Sequence, residues 1–283
     1  MSFGFLAKNQ FGYTQVDGVY QNISGIYSGS ILCNEYRVLE AQTGAGTIQP
    51  ARSELTHSTS GRSFSVSSIS NFPSGADFLV FAKPSSSAAS GTRNIGIYWL
   101  SATSFIFVKE SVDWDVNQVA PNVPDTSFSV DFIIAVKSKD MPTNSNPDYG
   151  LRVRAPNGDD VFNSNNQNFA VKGYGYNTLP STLFYWPASD LQDLTDFTVD
   201  LSDNDIYADL TSKSILGLNN DATQGARGWS KKMHYLMHEW DYTNDVLRTV
   251  QKEVNTRDDN LGNKVFIQQV WGRNMFHLIG TFL

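Results

Sequence analysis

Phe128, Val130, Phe132, Ile134 and Val136 occupy every second position, with Ser129 and Asp131 between the first of them and Ser127 just before. A period of two places the apolar side chains on one face of a strand, which makes this the clearest β signal in the chain. Asp77-Phe-Leu-Val-Phe-Ala82 and Asn94-Ile-Gly-Ile-Tyr-Trp-Leu100 are apolar runs of strand length. The Ser/Gly-rich stretch from Lys83 to Thr92 joins them and reads as a hairpin tip; Ser104 to Val108 then closes a meander. At the start, alternation through Phe3, Phe5 and Ala7, a turn at Asn9 to Gly12, and a return over Tyr13 to Val16 predict another hairpin. Thr43 to Ser63 reads as loop, followed by a short strand at Phe64 to Val66. Tyr149 to Arg154 and Asp160 to Phe162 flank Ala155-Pro-Asn-Gly158, a type I turn followed by a left-handed glycine.

Only the last quarter departs from this pattern. Met233, Leu236, Met237, Trp240, Leu247, Val250 and Val254 follow i, i+3, i+4, i+7 spacing, which predicts an amphipathic helix of about 20 residues with Ser230 as its N-cap. Val265 to Val270 and Phe276 to Leu283 read as closing strands. The predicted fold is therefore mainly β: an antiparallel β-sandwich with hairpin repeats plus one amphipathic helix in the C-terminal quarter. Its expected division is a sandwich over residues 1–177 and a region of loop, helix and closing strands over residues 178–283.

Composition sharpens this picture. Of the 28 acidic residues 22 are Asp and 6 Glu, the balance of a turn-rich rather than helix-rich chain. Aromatic residues make up 13% and suit pleated, half-buried surfaces. A net charge of −7 and a pI near 5.0 argue against a broad grip on a nucleic-acid backbone. With a single cysteine, Cys33, there is no intrachain disulfide and no Cys-rich zinc ribbon; a buried small hydrophobe is its expected role. The opening residues lack a basic region followed by an apolar stretch, and no apolar run reaches membrane-spanning length, so neither a secretory signal nor a membrane association is expected.

The chain also echoes itself. Gly4 and Gly12 recur as Gly150 and Gly158 at an offset of 146 residues, and Gln21-Asn22 recurs as Gln167-Asn168. The shared scheme is a glycine, a short strand, a turn glycine eight residues on, a return strand and Gln-Asn, consistent either with two hairpins of like turn chemistry or with a duplicated unit. The second copy, YGLRVRAPNGDDVFNS over residues 149–164 and preceded by FIIAVKSKDMP over 132–142, resembles an element of small tail-associated virion proteins of tailed bacteriophages. In that element an aromatic residue and Gly-Leu precede alternating strand residues, Asn-x-x-Gly and an aromatic-Asp-Ser ending; Asn163 stands here for the usual Asp. The opening MSFGFLAKNQFGYTQVDGVYQN is similar to the start of such proteins. The resemblance covers about the first 175 residues and does not reach those from Thr178 onwards. It implies a β-sandwich virion component at the tail tip, collar or fibre attachment point, and no catalytic residues.

Few residues offer chemistry. His234 and His238, four apart, have a spacing that chelates a metal on a helix, but His-Tyr-Leu-Met-His-Glu lacks the Glu directly after the first His that a zincin uses. Asp200, Asp203, Asp205 and Asp209 cluster without the central Gly and closing Glu of an EF-hand loop. Neither set is assigned a metal, and no cofactor is expected. There is no Gly-x-Ser-x-Gly elbow, phosphate loop or dinucleotide fingerprint. Tyr174, Tyr176, Tyr185 and Trp186 combine rings with polar neighbours and are the candidate contacts for a partner protein or glycan, with the sandwich core as their ordinary role. The expectation is a non-enzymatic virion protein, of tail or head decoration, that forms homo-oligomers, contacts other virion proteins and a host surface glycan or protein, and binds no nucleic acid. A carbohydrate-binding module and a polysaccharide hydrolase are the other readings.

Overall fold

The computed structural model describes residues 6–8, 14–17, 22–37, 42–43, 46–47, 55–58, 64–108, 128–142, 150–178, 195–202, 205–211, 215–219, 229–258 and 274–283. Among these every regular element is a β-strand except three single 3-10 turns, at Val66–Ser68, Ser86–Ala88 and Ser138–Asp140. The mainly β, antiparallel, sandwich-like architecture is as the alternation predicts.

The helix is not. Its residues form a long hairpin, β18 (Trp229–Asp241) with β19 (Val246–Asp258), turning at Tyr242 to Asp245. Met233 pairs with Val254, Met237 with Val250 and Trp240 with Leu247. The spacing that mimics a helical stripe is the mirror symmetry of a hairpin about its turn. Residues 237–241 are buried in succession, so the strand is covered on both faces and its period of two is erased. Asp241-Tyr-Thr-Asn-Asp245 is turn chemistry: Asp245 takes φ +53°, and the Asp241 carboxylate accepts the backbone N–H of Thr243 and Asn244. Ser230, the predicted N-cap, is a mid-strand residue opposite Arg257. Of the closing strands, Phe276 to Phe282 lie in β20 (Asn274–Phe282), whereas 265–270 fall outside the described residues.

Six strands close into a ring. β3 (Ile23–Arg37) pairs with β11 (Phe128–Lys137), β11 with β8 (Phe78–Pro84) and β8 with β16 (Tyr207–Asp209). β16 pairs with β20, β20 with β14 (Gln167–Thr178), and β14 returns to β3; every pairing is antiparallel. The second sheet has the order β15 (Thr195–Thr198), β19, β18, β9 (Thr92–Ser101), β10 (Ser104–Val108), β7 (Phe64–Ser65). β8 and β9 thus lie in different layers, and the stretch between them is a crossover with Ser85 and Ala88 buried, not the predicted hairpin tip. Strands from both sides of residue 177 build both layers.

The echo at 146 residues is a structural duplication. β1 (Leu6–Lys8) pairs with β2 (Thr14–Asp17) as Leu6 with Asp17, Ala7 with Val16 and Lys8 with Thr14, with an irregularity between Ala7 and Lys8. Adding 146 to each number gives the pairing of β12 (Arg152–Arg154) with β13 (Asp160–Asn163), irregularity included. A bulge at Ile26 in β3, against β11, recurs at Lys172 in β14, against β20. Ser138 N–H donates to the Asn22 carbonyl at 2.8 Å, and Leu283 N–H to that of Asn168 at 2.9 Å. The orders β3-β11-β8 and β14-β20-β16 mirror each other in the ring, as do β7-β10-β9 and β15-β19-β18 in the second sheet. Bulges re-aim the strand locally, so their recurrence at equivalent places marks one supersecondary unit used twice about a pseudo-twofold axis.

Two cores follow. Between the layers, Val80, Ala82, Val130, Phe132, Ile134, Ala208 and Ile279 of the ring meet Ile95, Ile97, Phe105, Phe107, Trp240 and Leu247 of the second sheet. Cys33 is fully buried in this core, as expected of it. Each large side chain buried there stabilises the fold by roughly 1.5–3 kcal/mol. The other core draws on all six ring strands and nothing from the second sheet: Phe81, Ala135 and Phe169, with Ile23, Leu79, Val171, Tyr207, Leu278 and Phe282 around them. It lines the inside of the ring.

Candidate functional site

The predicted contact aromatics are only partly within view. Tyr174 lies on β14 opposite Leu278 and is 62% exposed. Tyr176 follows on the same strand opposite Phe276; its side chain, and all of Tyr185 and Trp186, lie outside the described residues.

The histidine spacing changes meaning on a strand. His234 and His238 both lie on β18, where a rise of about 3.3 Å per residue separates their Cα atoms by roughly 13 Å, so the one-turn proximity a helix gives is lost. His238 instead pairs through space with His277 of β20, ring centroids 5.8 Å apart, both fully buried between the layers. Thr249 Oγ1 lies 3.2 Å from His238 Nδ1 and 3.0 Å from His277 Nδ1, and His238 Nε2 lies 3.1 Å from the Asp209 carbonyl oxygen. A carbonyl only accepts, so Nε2 of His238 carries a hydrogen. The Thr249 hydroxyl has one hydrogen, so it can donate to only one of the two Nδ1 atoms and accepts from the other. The arrangement is a hydrogen-bonded strut between the layers. Trp99 Nε1–H donates to the Thr211 carbonyl at 3.2 Å and Trp240 Nε1–H to that of Ile206 at 3.3 Å, so three rings of the second sheet hold the backbone around β16. Among the described residues no group of three or more His, Cys, Asp or Glu could hold a metal ion.

Of the aspartate cluster, Asp203 lies outside the described residues, and the other three carboxylates are engaged by neighbouring groups. Asp200 Oδ1 accepts Ser202 N–H at 2.9 Å and its hydroxyl at 2.5 Å, and these bonds hold the carboxyl below the usual carboxylate range. Asp209 Oδ1 accepts Thr211 N–H at 2.8 Å and its hydroxyl at 2.5 Å. Asp205 faces Lys83 Nζ at 3.4 Å. Lys83 is buried, with its ammonium 5.2 Å from the centre of the Tyr207 ring. Burial first, then the charges of Asp131 and Asp205, push the Tyr207 phenol up to about 12. Tyr242 also stands at about 12; burial is the largest cause, with Arg93 opposing and Asp131 adding.

One open groove of about 560 Å³ is lined by Phe78, Trp99, Asp77, Asp209, Ser101 and Thr103, among others. Its apolar floor is the Phe78–Trp99 pair, ring centroids 5.9 Å apart, beneath a polar rim. Asp209 enters it with Oδ1 occupied by Thr211, while the Asp77 side chain is 91% exposed and faces Lys137 at 3.7 Å. This surface suits binding by stacking and hydrogen bonding. The sequence pattern does not single it out, because its ring and its polar groups come from three separate stretches of chain. Comparison with known proteins returns no match to a family model, to a curated protein or to a solved structure.

Proposed function

We propose that the protein is a non-enzymatic structural component of a bacteriophage virion, in the tail at the tip, fibre or collar, acting by self-assembly and contact with other virion proteins. The observation that supports this reading is the sequence over 149–164, which resembles an element of virion proteins; residues 152–163 form a bulged hairpin with Gly158 at φ +90° after the turn, a unit that the chain uses twice. A repeated, all-β surface presenting the exposed Tyr174 suits a protein that works by packing against neighbours. Such a protein would be assembled in the host cytoplasm and carried in the particle. Light scattering over a hundredfold range of concentration tests it: the expected mass is a multiple of 31.4 kDa, and a monomer throughout rejects the reading.

The Trp99 groove favours one second reading, a carbohydrate-binding module of the same particle that engages host glycan. Retention on a glycan array, lost in Trp99→Ala and indifferent to chelator, supports it; silence across the array removes it.

A further inference from the structure

The duplication also locates a site, because the two halves line the ring differently. The pairings set Ile23, Leu79, Ala135 and Lys137 of the first repeat in the places of Phe169, Tyr207, Gly280 and Phe282 of the second. In the second repeat these positions are filled. The ring of Phe282 lies 5.0 Å from Phe169 and 5.6 Å from Tyr207, and Phe169 stacks 4.4 Å from Phe81. Gly280 makes room for this: a Cβ there would lie 2.7 Å from the Phe169 ring. In the first repeat the same space is lined by shorter or flexible side chains and stands open as a cavity of about 530 Å³. Its walls are Ile23, Phe78, Leu79, Ala135 and Val136, and its rim carries Lys137, Lys139 and Asp77.

We infer that this cavity is a binding site for a small aromatic anion. The shape argument is internal to the molecule, since the dyad-related space is occupied by aromatic rings. The charge argument is Lys137, which stands where the second repeat has Phe282 and carries its ammonium at the rim, 3.7 Å from the exposed Asp77 carboxylate. A pocket of this size lies within the range that takes small ligands, with apolar walls for the body and a few polar groups for orientation. The ligand's ring takes the place that Phe282 holds in the other half, and its anionic group meets the Lys137 ammonium group.

Titration with 3-phenylpropionate, followed by NMR shifts and calorimetry, is the test, with hexanoate as the aliphatic comparator. Saturable one-to-one binding, at least tenfold tighter than hexanoate, is expected. Ile23→Phe with Ala135→Gly rebuilds the second-repeat packing and should weaken binding tenfold or more. Lys137→Gln, at a half-exposed position that leaves the fold intact, should weaken it about threefold and decides the matter if the double variant does not fold. Absence of saturable binding, preference for hexanoate, or indifference to Lys137→Gln overturns the assignment.

Discussion

Replacing Gly280 by alanine places a Cβ 2.1 Å from the Ala170 carbonyl oxygen and 2.7 and 2.9 Å from two carbons of the Phe169 ring. The oxygen belongs to the neighbouring strand, where Val171 pairs with Gly280, so relief requires β14 and β20 to separate. Phe169 cannot swing away freely either, because its ring is wedged among Phe81 and Phe282. Overpacking a closed core typically costs 1–3 kcal/mol, and a backbone clash belongs at the top of that range, about 3 kcal/mol. For a domain of this size that lowers the melting temperature by roughly 6–12 °C. The control lies at the equivalent residue of the other repeat. Ala135 already carries a Cβ, and Ala135→Gly loses only a methyl and some backbone restriction, about 1–2 kcal/mol. Urea unfolding of both variants reads the contrast. Equal effects, or a Gly280→Ala variant as stable as the parent, would refute the claim that the two repeats pack the ring interior differently.

Thr249→Val removes the hydroxyl that joins His238 to His277 and should cost about 1–3 kcal/mol in urea unfolding, whereas Thr249→Ser should retain most of the stability. The Asp241 carboxyl lies below the usual carboxylate range, chiefly through its bond from the Asn244 side chain. A depressed folded-state value means that its contribution is complete above the unfolded carboxylate range near pH 4 and is lost as pH falls through the lower folded value. Asp241→Asn should therefore be less stable at pH 7 and show a shallower loss on acidification, read from urea midpoints between pH 7 and pH 2. Tyr207 and Tyr242, both at about 12, favour the fold until pH rises past the unfolded phenol value near 10. An ultraviolet titration should show at least two of the 12 tyrosines ionising only above pH 11 or together with alkaline unfolding; all 12 titrating near pH 10 in folded protein would contradict the burial.

The sequence made the local β units legible and concealed how they assemble. Alternation marks β11 because one face of its N-terminal half is less covered, and Ala155-Pro-Asn-Gly158 marks the β12–β13 turn because only a glycine takes φ +90° there without strain. Strand β18 misled because Met237 to Asp241 are buried on both faces, leaving no alternation to read. The crossover from β8 to β9 misled because Ser and Gly serve a hairpin tip and a layer change equally well. The candidate site was the least legible part. His277 lies 39 positions beyond His238 and meets it only through the sandwich, and the ring cavity exists because Leu79 and Lys137 stand where their counterparts are aromatic. The 146-residue echo was visible in the glycines, but its equivalence of Ala135 with Gly280 rests on strand pairing alone.

All of these expectations depend on the two repeats jointly closing one ring. The pairs Ser24–Asn168 and Ala82–Ala208 are the two joins at which strands of one repeat meet strands of the other. Backbone nuclear Overhauser contacts in deuterated protein measure them directly. The account predicts cross-strand contacts at both joins in the same sample, and their absence at either would mean an open sheet and no closed ring.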